Sequence, residues 1–128
     1  MLAEALALAG KIEEALATLG DALAKAVASG ERGSDAEIHR LRGELTGRLP
    51  YPDPAKAEDS FRTALAIARK QGTRGYELRA ATNLARLWHE QGRLTEARDL
   101  LAPVYRSFTE GFDTADLKEA AALLAELA

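Results

Sequence analysis

Apolar residues recur along this chain at three- and four-residue steps, the period of helices with one buried face. The pattern predicts a short helix over 2–9 on Leu2, Leu6 and Ala9, closed by Gly10, and a second over 12–28 on Ile12, Ala15, Leu16, Leu19, Leu23 and Val27. After the Gly-rich loop 29–33, Ser34 with Glu37 reads as a capping box opening a third helix over 35–47, on Ile38, Leu41 and Leu45. The alternating prolines of Leu49-Pro50-Tyr51-Pro52-Asp53-Pro54 must break it. Asp53 then serves as N-cap, with Pro54 in the first helical position, for a fourth helix over 54–71 on Ala57, Phe61, Ala64, Leu65 and Ile67. Helices over 76–90, 95–109 and 115–127 follow. They are separated at Gly92 and at Gly111-Phe112-Asp113-Thr114, and the sixth contains Pro103. The seventh buries Leu117, Ala121, Leu124 and Leu127 and turns Asp116, Lys118, Glu119 and Glu126 to water.

Composition narrows the class. Hydrophobic residues make up 47% of the chain but aromatics only 5%, so the core is built from Leu and Ala, both strong helix formers. The fold class is all-α. With no cysteine, disulfides, thiolate metal sites and cysteine nucleophiles are excluded. Glu4 and the lack of a basic leader argue against a signal peptide, and no long charge-free window suggests a membrane span. We expect a cytoplasmic protein.

Small and large apolar residues also recur between helices. Leu84, Ala85 and Trp88 are followed by Ala97, Leu101 and Val104 across the Gly92 turn. This spacing resembles a tetratricopeptide (TPR) helix-turn-helix, with small residues where two helices cross. Gly10, Ala15, Leu19 and Ala22 match Gly92, Ala97, Leu101 and Val104 at a constant offset, and Ala57, Phe61 and Ala64 match the last three. The expectation is a single domain over 1–128, a TPR-like α-solenoid of about seven antiparallel helices. It comprises a truncated repeat over 1–30, full repeats over 34–71 and 75–109, and a capping helix over 114–127. Gly43 occupies the small-residue slot of the second repeat, where close approach of a neighbour offsets its helix penalty of about 1 kcal/mol.

Charge changes the picture less. The formal net charge of −3 speaks against nucleic acid as a partner. Residues 40–106 carry 13 basic and 8 acidic side chains between two acidic flanks, a candidate surface for an acidic partner or a solvated face with paired charges. Catalytic constellations are missing: no phosphate-cradling glycine motif occurs, and His39 and His89 lack a second histidine at helical metal spacing. Adjacent acids such as Glu13-Glu14 and Glu58-Asp59 point about 100° apart on a helix and form no facing dyad. We therefore expect no enzyme, no cofactor and no metal.

What remains is a binding face. Arg79, Asn83, Arg86 and Glu90 form one stripe of the fifth helix, opposite Ala81, Leu84, Ala85 and Trp88, and Arg40 and Glu44 hold equivalent places on the third. Arginine forks and an amide suit a peptide backbone or carboxylate. The alternative is the plain wet face of amphipathic helices. Trp88 belongs with the core, in a large-residue slot.

The segments Ala57–Arg69, Glu77–Ala81, Leu84–Trp88, Leu101–Tyr105 and Phe108-Thr109-Glu110-Gly111-Phe112-Asp113-Thr114, with Asp116–Ala120, resemble the C-terminal end of large bacterial signalling proteins. Those proteins carry an adenylate/guanylate cyclase or DNA-binding output domain, an AAA/STAND-type ATPase and a TPR-like tail. The resemblance implies a regulatory tail whose partner is a protein, a peptide or other domains of its parent chain. A second reading is self-association as a homodimer, because Leu2, Leu6 and Leu8 would lie uncovered on the first helix.

Overall fold

The computed structural model describes residues 2–128, with side chains from Leu8 onward. Among the described residues the chain is entirely helical between loops. Its elements are α1 (Leu2–Ser29), α2 (Asp35–Arg48), α3 (Pro54–Gln71), α4 (Arg74–Glu90), α5 (Leu94–Arg106) and α6 (Ala115–Leu127). Short connections return each helix alongside its predecessor, and every consecutive pair is in contact. Contacts also join α2 to α4 and α4 to α6, whereas among the described residues α1 touches only α2 and α3 does not touch α5. The even-numbered helices thus lie side by side on one layer, and the odd-numbered ones back them.

Local chemistry sets most boundaries. Leu49 is extended (ψ 149°) ahead of Pro50 and ends α2. Asp53 Oδ1 accepts the Lys56 amide at 3.1 Å and Pro54 fills the first position of α3. Gly72 closes α3 at φ +70°, a left-handed conformation that glycine adopts without penalty, and the Thr73 amide reaches back to the Ala68 carbonyl. Thr114 Oγ1 accepts the Leu117 amide at the start of α6. At the far end of α6, the Arg98 guanidinium donates to the Leu127 carbonyl, which has no partner within its own helix.

Three expectations need correction. Gly10 does not end a helix: α1 continues through it, so the described chain has six helices rather than seven. The apolar register on either side of Gly10 is unbroken, and no capping side chain or proline competes with the helix there. The proposed match of Gly10 to Gly92 therefore fails, since Gly92 sits in a left-handed turn at φ +77° and Gly10 does not. Ala15 is only half-buried, whereas Ala57 and Ala97 are 1% and 0% exposed, so Ala15 does not share the environment of the other two. Finally, Ser34 makes no side-chain cap, and Glu37 turns its carboxylate to Arg40 and Arg79 instead. Smaller differences are that α4 starts at Arg74 and α5 ends at Arg106, passing through Pro103.

The main core runs through α3, α4, α5 and α6. Phe61, Leu65, Leu78, Leu84, Trp88, Leu101, Leu117, Leu123 and Leu127 interlock there around Ala57, Ala64, Ala81, Ala85, Ala97 and Ala120. Alanine at the crossings lets the backbones approach, and leucine fills the space between them. The helix α1 lies outside this cluster, burying only Ile12 and Ala26 among its described side chains. No described helix is long and apolar enough to cross a membrane.

Candidate functional site

The layer formed by α2, α4 and α6 presents one polar stripe from each helix. Residues seven apart return to the same side of a helix after about two turns. On α2 this groups Glu37 with Glu44, and Arg40 lies between them. On α4 it groups Arg79 with Arg86, and Asn83 lies between those. Two adjacent hollows open on this layer. One, of about 160 Å³, is lined by Arg40, Glu44, Arg79, Thr82, Asn83, Asp116 and Glu119. The other, of about 320 Å³, has Gly43, Gly47, Ala57, Phe61 and Leu87 as its apolar part and Glu44, Arg48, Asn83, Arg86, Glu90 and Glu119 around them.

All six residues singled out in the sequence line these hollows: Arg40, Glu44, Arg79 and Asn83 the first, and Glu44, Asn83, Arg86 and Glu90 the second. The structure also ties three of them, Arg40, Glu44 and Asn83, to one another. Arg40 donates to Glu37 at 2.6 Å and to Asn83 Oδ1 at 3.0 Å, and stands 3.2 Å from Glu44. The Asn83 amide donates in turn to Glu44 at 3.1 Å. Arg79 bridges three helices, reaching Glu37 on α2 at 2.7 Å and Asp116 on α6 at 2.8 Å. Arg86 pairs with Glu119 on α6 at 2.8 Å.

The sequence reading missed Glu37, Asp116 and Glu119. Glu37 was assigned to a cap, and the two α6 acids to bulk water. Their presence shows where three arginines of the basic middle find their partners. Acids from both flanks fold onto Arg40, Arg79 and Arg86 and satisfy their forks. Partial burial pushes the Glu37 carboxyl upward, but hydrogen bonds and charge from Arg40 and Arg79 outweigh it and hold Glu37 below its ordinary value. Glu90 at one end of the larger hollow has no ion pair among the described residues, nor has Arg48.

Gly43 and Gly47, one turn apart on α2, shape the larger hollow differently. At Gly43 the Phe61 ring fills the space of the missing side chain, while at Gly47 nothing lies within 4 Å of it. The first glycine admits a core aromatic, and the second leaves the hollow open.

Trp88 is core, 7% exposed, and its indole Nε1 donates to Glu58 at 3.0 Å. The Arg62 and Arg93 guanidinia lie over its ring at 5.2 and 4.7 Å, and both also bond Glu58. The indole hydrogen bond first, then Arg62 and Arg93, hold the Glu58 carboxyl below its ordinary value against a smaller upward push from burial. This cluster pins the α4–α5 turn to α3. His39 is half-buried, and burial with Arg42 nearby lowers its pKa. His89 stands 4.0 Å from Glu126. Among the described residues no group of histidine and acidic side chains is placed to hold a metal ion.

No family model, curated protein or solved structure matches the chain.

Proposed function

We propose that this chain is a non-enzymatic interaction module, a TPR-like stack whose α2–α4–α6 layer receives a segment of a protein partner. The single observation that carries this reading is the larger hollow. It combines an apolar floor at Phe61 and Leu87 with polar and charged groups around it, the composition of a small recognition site. Contacts between alternate helices and the near-complete burial of Ala57 and Ala97 support the stacked-hairpin arrangement. Pairing among Arg40, Glu44 and Asn83, and of Arg79 with Glu37 and Asp116, gives that layer a fixed shape before a partner arrives, which lowers the ordering penalty of binding. The resemblance of Phe108–Thr114 and its neighbouring segments supports reading the module as the C-terminal tail of a cytoplasmic bacterial cyclase or ATPase signalling protein. The partner is then another protein or the other domains of that parent chain.

The test uses Gly47→Leu, which places a bulky side chain on the hollow where an added Cβ meets nothing within 4 Å. Peptides selected on the wild-type chain from a randomised library should bind the variant about tenfold more weakly or worse. Equal affinity for both proteins would exclude the hollow as the binding site.

A further inference from the structure

The polar groups around the larger hollow are of two kinds. Glu44 and Asn83 are bonded to each other and to Arg40, and Arg86 pairs with Glu119 at 2.8 Å. Arg48 and Glu90 are exposed and have no ion pair among the described residues. They are opposite in sign, and each is the last residue of its helix, Arg48 of α2 and Glu90 of α4. Because α3 alone returns between them, α2 and α4 point the same way. The two uncommitted charges therefore sit at the same end of the layer, on neighbouring helices. A helix C-terminus carries partial negative charge, which favours a cation and disfavours an acid. Arg48 suits its place without a partner. Glu90 does not, because it stands at a C-terminus with no cation paired to it. The apolar floor of Ala57, Phe61 and Leu87 belongs to the same hollow. Leu87, half-buried, lies one turn before Glu90, and Gly47, next to Arg48, leaves the floor uncovered on that side.

We propose that the hollow takes an extended peptide segment in which an apolar side chain is bracketed by an acid and a base. The apolar side chain rests on Phe61 and Leu87, the acid meets Arg48 and the base meets Glu90. This inference rests on the reading of the hollow as the binding site and names the chemistry of its occupant. Charge complementarity carries it. Glu44, Arg86 and Glu119 are already paired, so Arg48 and Glu90 are the charges around the hollow left to read a ligand. A segment charged with one sign only would set a like charge against one of them. Spacing follows from the fold. Helices in contact pack about 8–10 Å apart, and an extended chain rises about 3.3 Å per residue, so the acid and the base stand about three residues apart. The volume of about 320 Å³ lies near the lower end of the range of about 300–1,000 Å³ for small-ligand sites. It admits a few side chains and not a folded surface.

Fluorescence anisotropy of peptides selected on the wild-type chain from a randomised library tests it. The selected peptides should carry an acid and a base on either side of an apolar residue. The double variant Arg48→Glu with Glu90→Arg should bind them about tenfold more weakly or worse, and peptides with the two charges exchanged should prefer that variant by a similar factor. Both residues are exposed, so the exchange keeps the fold. Thermal unfolding of the free chain gives a second readout. Glu90→Gln should leave the midpoint unchanged or raise it, while weakening peptide binding. A lowered midpoint would assign Glu90 a structural role and overturn the proposal. Peptides that lose affinity for Gly47→Leu yet are indifferent to the charge exchange would also overturn it, while leaving the hollow as the binding site. Peptides indifferent to Gly47→Leu, or a selection that yields no binder, would remove the hollow itself and this inference with it.

Discussion

The ring of Phe61 on α3 lies against the bare Cα of Gly43 on α2, so closely that a methyl group there would stand 2.5 Å from Cε1. In the next hairpin Ala85 on α4 and Leu101 on α5 are both fully buried in the main core.

Gly43→Ala should therefore destabilise the chain, although alanine is the better helix former by about 1 kcal/mol. Overpacking against a ring that is 5% exposed should outweigh that gain and leave a net loss of about 1–2 kcal/mol. Adding Phe61→Leu should recover part of the loss, a favourable coupling measurable by a urea-denaturation double-mutant cycle.

Gly47→Ala should do the opposite one turn later. The site is open and the backbone helical, so alanine should raise stability by about 0.5–1 kcal/mol in the same assay. Opposite signs at positions 43 and 47 would show that close approach, and not glycine as such, sets the effect.

Stability should fall in acid through Glu37. Its carboxyl titrates lower in the folded chain than the ordinary value of 4.5. Its contribution is thus full above about pH 4.5 and is lost as pH drops through the lower folded value. Glu37→Gln should reduce stability at neutral pH by about 1 kcal/mol and flatten the acid limb of the stability profile. An unchanged acid limb in the variant would remove Glu37 from the account.

Trp88→Phe keeps an aromatic ring in the core but deletes the donor to Glu58. We expect a loss of about 1–3 kcal/mol by thermal or urea unfolding. A further loss on Glu58→Gln in the Trp88→Phe background should be smaller than in the wild type, because the two changes remove the same contact.

Helices α3 to α6 were legible in the sequence because each break carries its own chemistry: Asp53 before Pro54, Gly72 and Gly92 at positive φ, Thr114 as cap. Gly10 was misleading because a glycine is a stop only where the apolar register also stops. Around Gly10 it continues, and α1 passes straight through. The face of the candidate site was readable from helical spacing on α2 and α4, which placed Arg40, Glu44, Arg79, Asn83, Arg86 and Glu90 around the two hollows. The partners that occupy their hydrogen bonds were not. Glu37 meets Arg79 42 positions away, and Asp116 meets it from 37, and no local spacing announces such pairs. Ser34-x-x-Glu37 satisfies a local motif, but in the fold Arg40, three residues on, and Arg79, 42 positions away, win the carboxylate.

The most direct test of the central claim, that the α2–α4–α6 layer is the interaction face, is amide chemical-shift mapping of the labelled chain with a library-selected peptide. The account predicts perturbations concentrated at Gly43, Gly47, Thr82, Asn83, Arg86 and Leu87. Perturbations confined to the outer sides of α3 and α5, with those six amides unmoved, would contradict it.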